Sequence, residues 1–233
     1  DMKVPPHPAL AKDSVNYVGD HVAVVVAETL EQAKNAADLV NVNYKIQKAV
    51  VNTKEALNNS ETIHEGIEGN LCFDFLLGDK AKTDEALTKA DKVVKIDLKN
   101  NRLIPNAMEP RASIGDYNSS SEQLTLYTTN QNPHLTRLVI SAFNAVHPEH
   151  KFRVVAPDVG GGFGSKIYPY AEDVVIAYAS KKLERPVKWV AERSESFLSD
   201  CHGRDHVTHA EMGVTNEGKI TGLKVETIAN LGG

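Results

Sequence analysis

Cysteine is scarce in this sequence. Its 233 residues hold only Cys72 and Cys201, far apart, so neither a disulfide framework nor the ligand set of an iron–sulfur cluster can be read from it. A reducing, cytoplasmic compartment is the default expectation. Long apolar runs are missing as well. The longest, Val22 to Ala27, has six residues, far short of the roughly 20 that span a bilayer. No basic segment followed by an apolar one opens the chain, as a secretory leader would. There is no excess of positive charge either: 26 Lys and Arg against 31 Asp and Glu leave −5. With no basic stripe, nucleic acid is not an expected partner.

What is present is the composition of a soluble globular protein, 41% apolar and 24% charged. At about 150 residues per domain the length allows one large domain or two small ones, with a core that needs no staples. The chain starts at Asp1 rather than Met and stops at Leu231-Gly232-Gly233, directly after an expected strand. Both features suggest an internal piece of a longer polypeptide.

The pattern of elements predicts an α+β fold. A β-branched run from Val22 to Val26 reads as a strand. Thr29 and Gln32 form a capping box for a helix with Leu30, Ala33, Ala37 and Val40 on one face. Val42 to Ile46 reads as a second strand, and this unit ends near Leu57 at an Asn58-Asn59-Ser60 loop. Residues 61–89 read as connection plus a short helix around Asp84 to Ala90. Val94, Ile96 and Leu98 alternate with Lys95, Asp97 and Lys99, a half-solvated strand. Ser113 to Tyr117 and Gln123 to Thr128 follow as strands joined by an Asn118 to Ser121 turn. Asn132 and Pro133 open a helix with Leu135, Leu138, Val139 and Ala142 inward. A strand, Phe152 to Ala156, leads to a glycine loop at 160–164, and a helix from Tyr170 to Leu183 carries Val174, Ala177 and Tyr178 on one face. Val187 to Ala191 is a strand, and Asp205 to Gly213 and Lys219 to Ala229 form a hairpin turned at Asn216-Glu217-Gly218.

The sharpest local feature is Gly160-Gly161-Gly162-Phe163-Gly164. Glycines between a strand and a helix let a ligand approach the backbone, and amides at a helix start favour anions. A tight turn needing φ > 0 would explain them equally well. Gly164-Ser165-Lys166 fails the P-loop pattern, and Ser165 stands where a dinucleotide fingerprint needs glycine, although the later Glu192 mimics that arrangement. A nucleotide-dependent oxidoreductase is therefore one alternative, and a non-catalytic α+β binding or assembly module is another. Gln131, between a strand end and a capped helix, offers donors and an acceptor without charge, although spacing alone favours a solvated loop residue. Met108-Glu109-Pro110-Arg111 reads as a turn with a local ion pair worth little. Cys201, His202, His206 and His209 invite a zinc reading, but strand alternation puts His206 and His209 on opposite faces, and no metal ligands are assigned.

Taken together, four strings are more specific than any single motif: Ala107 to Ala112, Leu126 to His134, Ala156 to Lys166, and Pro186 to Trp189 with Arg193-Ser194-Glu195 and His202 to His206. In this order and spacing the chain resembles the large, molybdenum-binding subunit of the xanthine oxidase family, with its nearest likeness in the aerobic carbon monoxide dehydrogenase branch. The resemblance implies the tail of an α/β hammerhead unit over residues 1–58, a linker over 59–77, and part of a mixed-sheet molybdenum-cofactor domain over 78–233. It implies a molybdenum–molybdopterin cofactor, in bacteria often the cytosine dinucleotide form, bound by Gln131, Gly161, Gly162, Phe163 and Gly164, with Gln131 and Phe163 at the catalytic centre. It further implies oxidation of carbon monoxide, an aldehyde or an N-heterocycle, with water as oxygen source. Electrons would pass to 2Fe-2S and FAD groups on partner subunits, and the rest of the large subunit would complete the site. Ile167 stands where purine-oxidising relatives carry a glutamate, which counts against a xanthine-like substrate.

Overall fold

The computed structural model describes residues 1–58 and 61–232, so Asn59 and Ser60 of the expected loop lie outside the described residues. In chain order the helices are α1 (Leu30–Ala37), α2 (Thr53–Ala56), α3 (Lys80–Lys89), α4 (Pro133–Ala142), α5 (Ala171–Leu183) and α6 (Arg193–Ser199). The strands are β1 (Lys92–Asn100), β2 (Ala112–Asn118), β3 (Gln123–Thr128), β4 (Phe152–Val155), β5 (Val187–Val190), β6 (His206–Val214) and β7 (Ile220–Ala229). They group into two compact units built from separated segments. One combines Asp1–Pro6, Ile46–Leu103 and Gly203–Gly233; the other combines His7–Lys45 and Ile104–His202.

The first unit holds an antiparallel sheet in the order β1-β6-β7. The predicted strand β1 forms, with Ile96 opposite Ala210 and Ala210 opposite Val225, but it is not half-solvated as expected, because Val94, Ile96 and Leu98 are all exposed. The β6–β7 turn forms where expected, with Gly218 N–H donating to the Thr215 carbonyl at 2.9 Å. Helix α3, capped by the Asp79 carboxylate, lies close on this sheet where two strands lack side chains. A Cβ on Gly213 would stand 2.9 Å from Ala90 Cβ, and one on Gly222 would stand 3.2 Å from Ala86 Cβ.

The second unit holds a mixed sheet in the order β4-β3-β2-β5. Strands β2 and β3 form a hairpin whose turn is fastened by Asn118 Oδ1, which accepts from Ser120 N and Ser121 N. The parallel neighbours β3 and β4 are linked through α4, whose first turn is capped by Asn132 and started by Pro133. Leu124 and Leu126 of β3, Phe152 of β4 and Val187 of β5 form one buried cluster with Ile140 of α4 and Ile176 and Ala177 of α5. Helix α5 crosses β2 so closely that a Cβ on Gly115 would meet the Ile176 carbonyl oxygen at 2.7 Å.

Several segments fold differently from what the sequence predicts. Val22–Val26 and Val42–Ile46 are irregular rather than strands. A strand exists through its ladder, and among the described residues neither segment pairs with a neighbour. Helix α1 keeps the Thr29–Gln32 capping box but buries nothing, and Leu30 is 72% exposed, so the predicted apolar face is not packed. In α4 the buried positions are Thr136 and Ile140, while Leu138 is partly exposed. In α5 they include Glu172, Asp173, Ile176, Ala177 and Ser180, while Tyr178 is exposed. In α5 the expected Ala177 is buried, but apolar periodicity misses Glu172 and Asp173 because the buried surface of this helix carries charge.

Candidate functional site

Strand directions gather the candidate residues. Parallel β3 and β4 end at the same end of their sheet. Antiparallel β2 begins there, and β5, antiparallel to β2, finishes there. Gln131 follows β3, the glycine loop follows β4, Met108–Arg111 precedes β2, and Arg193 follows β5. Carboxyl ends of parallel strands are where open α/β sheets place ligands.

Gln131 and the glycine loop meet directly. Gln131 N–H donates to the Lys166 carbonyl at 2.8 Å. Its Oε1 accepts from Gly164 N–H at 3.1 Å and from Lys166 N–H at 3.3 Å. Only the amide oxygen can accept from two N–H donors, so the side chain's orientation is set and its NH₂ group faces away from those amides. Gly162 allows this approach, because a Cβ there would sit 2.3 Å from Gln131 Oε1. Gly161 and Gly164 hold φ of 98° and 96°, a left-handed region that glycine occupies without cost. Beside Gly164 a Cβ would meet nothing within 4 Å. Phe163 also has positive φ, 53°, and its side chain is 76% exposed. Ser165 closes the bend from below, its backbone N–H and hydroxyl both donating to the Gly162 carbonyl.

The neighbouring segment is pinned from two sides. Arg193 donates to Asn106 Oδ1 and to the carbonyls of Ala107 and Met108 at 2.8–2.9 Å. Glu109 N–H donates to the Gly160 carbonyl, and Glu109 Oε2 accepts from Gly160 N–H at 2.8 Å. Glu109 and Arg111 do not form the local pair expected of Met108–Arg111. Glu109 pairs with Lys166, whereas Arg111 turns into the core.

Arg111 organises a buried charge network that sequence reasoning missed. Its guanidinium donates in bidentate fashion to Glu172 at 2.8 and 2.9 Å, to Asp200 at 2.6 Å and to Ser199 at 3.0 Å, and it lies 3.7 Å over the Tyr170 ring. Burial opposes the Arg111 charge, but Glu172 and Asp200 outweigh it and hold the pKa above its ordinary value. Burial likewise raises the Glu172 carboxyl, yet hydrogen bonds from His21 and Arg111 bring it down to about 2. The bond to Glu172 in turn raises His21. Next in the helix, Asp173 is raised by burial although Ser113, Thr128 and Tyr170 N–H all donate to it. The only sequence signal was an arginine ahead of a strand and two acids at a helix start. Neither names its partner.

Other motif readings come out differently. The glycine loop is not joined to a helix N-terminus: α5 begins at Ala171, and its own Asp173 occupies the terminal amide of Tyr170. Glu192, the would-be ribose ligand, pairs with Lys34. His209 lies between Asp97 and Glu211 in β6, and His202 is bonded to the Phe197 carbonyl. Among the described residues, the one grouping of metal-type side chains is His21, Glu172 and Glu195, in which Glu172 is already taken by Arg111.

Comparison with known proteins gives two family matches. Residues 63–233 match the molybdopterin cofactor-binding domain, and residues 2–48 match the a/b hammerhead domain of aldehyde oxidase and xanthine dehydrogenase. The nicotine 6-hydroxylase large subunit of Paenarthrobacter nicotinovorans is 33% identical over 97% of this chain and 27% of its own length. The carbon monoxide dehydrogenase large chain of Hydrogenophaga pseudoflava is 33% identical over 96% of this chain and 29% of its own. The crystal structure of quinoline 2-oxidoreductase from Pseudomonas putida 86 superposes with a TM-score of 0.87 at 28% identity, over 97% of this chain and 29% of that one. The chain thus spans under a third of the length of these relatives.

Proposed function

The chain belongs to the xanthine oxidase family of molybdenum hydroxylase large subunits, and from that premise we propose that Gln131 and the Gly161–Gly164 backbone face a molybdenum–molybdopterin cofactor in an enzyme that oxidises a small molecule. When bound, the cofactor supplies two-electron oxidation of the substrate with oxygen taken from water. The residues present suit it. An oxo-bearing, anionic group wants uncharged donors and close backbone approach. The carrying observation is that loop amides claim Gln131 Oε1, so its two N–H donors remain to orient an oxygen atom of the bound group. The space beside Gly164 lets a bulky ring system lie against the backbone. The exposed Phe163 ring offers an apolar surface beside the loop against which a substrate can lie.

The finer points belong to the same reading. The cofactor is the cytosine dinucleotide form, 2Fe-2S and FAD partner subunits take the electrons, and further polypeptide of the large subunit completes the site. The hammerhead part occupies 1–58, a linker 59–77 and the cofactor domain 78–233. The substrate is carbon monoxide, an aldehyde or an N-heterocycle, and Ile167 disfavours a purine. Among the described residues no helix is long and apolar enough to cross a membrane, and a cytoplasmic location goes with the paucity of cysteine. The test is Gln131→Ala in the cofactor-bearing enzyme. Turnover should fall by about a hundredfold, the usual loss for one preorganised donor, while molybdenum stays bound. Wild-type turnover with the metal retained would refute the assignment.

A further inference from the structure

Lys166 is the largest fully buried side chain among the described residues, 1% exposed, and the residue adjoins the Gln131 site. Burying an ammonium is costly unless it is paired and hydrogen-bonded. A methionine would fill the same space without that cost, so the position of the charge calls for an explanation. Its Nζ donates to the Glu109 carbonyl at 2.8 Å and to Glu109 Oε2 at 3.1 Å. The same Oε2 accepts from Gly160 N–H, at the opposite end of the loop. Meanwhile the Lys166 backbone holds Gln131 from both sides, its carbonyl accepting from Gln131 N–H and its N–H donating to Gln131 Oε1. One residue therefore ties three chain segments: Glu109 by its side chain, Gln131 by its backbone, and the glycine loop by its own place at the loop's end.

We propose that Lys166 and Glu109 are positioning residues, a clamp buried at its lysine end that fixes both ends of the glycine loop and thereby aims the Gln131 amide. This rests on the reading that Gln131 and the loop face the cofactor. Neither residue is assigned contact with the cofactor. A loop rich in glycine has many conformations to lose on ordering, and a charge-assisted clamp across Gly160 and Lys166 restricts them before any ligand arrives.

The test compares Lys166→Met, Glu109→Ala and Glu109→Gln with wild type and Gln131→Ala in the assembled, cofactor-bearing enzyme. Three quantities are read: amide hydrogen exchange of peptides covering 158–168, bound molybdenum, and kcat and KM separately. Lys166→Met should raise exchange at 160–166 by about tenfold or more, as expected for loss of a charge-assisted hydrogen bond. It should also lower kcat with KM nearly unchanged, while molybdenum is largely retained. Glu109→Gln keeps a carbonyl oxygen for both donors but removes the charge that pairs the buried ammonium, so its exchange and kcat should fall between those of wild type and Glu109→Ala. Glu109→Ala should behave like Lys166→Met, and it serves if the buried substitution does not fold, because Glu109 is 36% exposed. Unchanged exchange in both disruptive variants, or exchange rising equally along the whole chain, overturns the clamp. If Gln131→Ala lowers turnover while the clamp variants do not, the clamp alone is wrong. If Gln131→Ala is also silent, the reading of the site fails and takes the clamp with it.

Discussion

Replacing Glu172 by Gln removes one charge from a largely buried network, and the structure sets both the size and the pH range of the effect. The folded carboxyl titrates at about 2, against an ordinary 4.5. At about 1.4 kcal/mol per pH unit, that difference is worth about 3 kcal/mol. The folded state binds the proton less readily than the unfolded one, so the contribution is complete above about pH 4.5 and fades as pH falls toward about 2. His21 acts in the opposite sense. Its raised pKa adds stability below its ordinary value of 6.5, and that part is lost as pH rises through the folded value. Urea unfolding followed by near-ultraviolet circular dichroism at pH 7, 5, 4 and 3 should show Glu172→Gln weaker than wild type by about 3 kcal/mol at neutral pH, with the gap closing in acid. Arg111→Met should cost more, about 3–5 kcal/mol, since Glu172 and Asp200 would remain buried without their cation. Against a total of about 5–15 kcal/mol, either loss is large. Adding Glu172→Gln to Arg111→Met should recover part of it. A gap between Glu172→Gln and wild type that does not change with pH would show that the carboxylate charge is not what holds this core together.

Two further predictions concern local geometry. Gly162→Ala places a Cβ 2.3 Å from Gln131 Oε1, so the amide must move. Turnover of the cofactor-bearing enzyme should fall by about tenfold or more, and adding the change to Gln131→Ala should cost nothing further. A full additive loss would mean that the glycine serves something other than Gln131. Asn132→Ala removes the cap on Leu135 N–H and should lower the midpoint of thermal unfolding by an amount equivalent to about 1 kcal/mol, with no change in the loop.

Local chemistry is legible in the sequence. Thr29 with Gln32, and Asn132 with Pro133, announce helix starts because a side-chain oxygen a few atoms away satisfies the first free amides. Val94, Ile96 and Leu98 announce a strand because alternation is a property of the backbone itself. The glycine loop and Gln131 stood out as candidates on the same footing, and the strings around them carried the family resemblance. Partner choice was not legible. Lys166 reaches Glu109 across 57 positions, and Arg111 reaches Asp200 across 89, whereas spacing suggested that Glu109 and Arg111 would serve one another. Val22–Val26 has a strand's composition and no ladder. Capping, alternation and turns are settled within a few residues and survive in any fold that accepts them. The direction of a buried charge depends on which distant group is also stripped of water, and only the packed chain decides that.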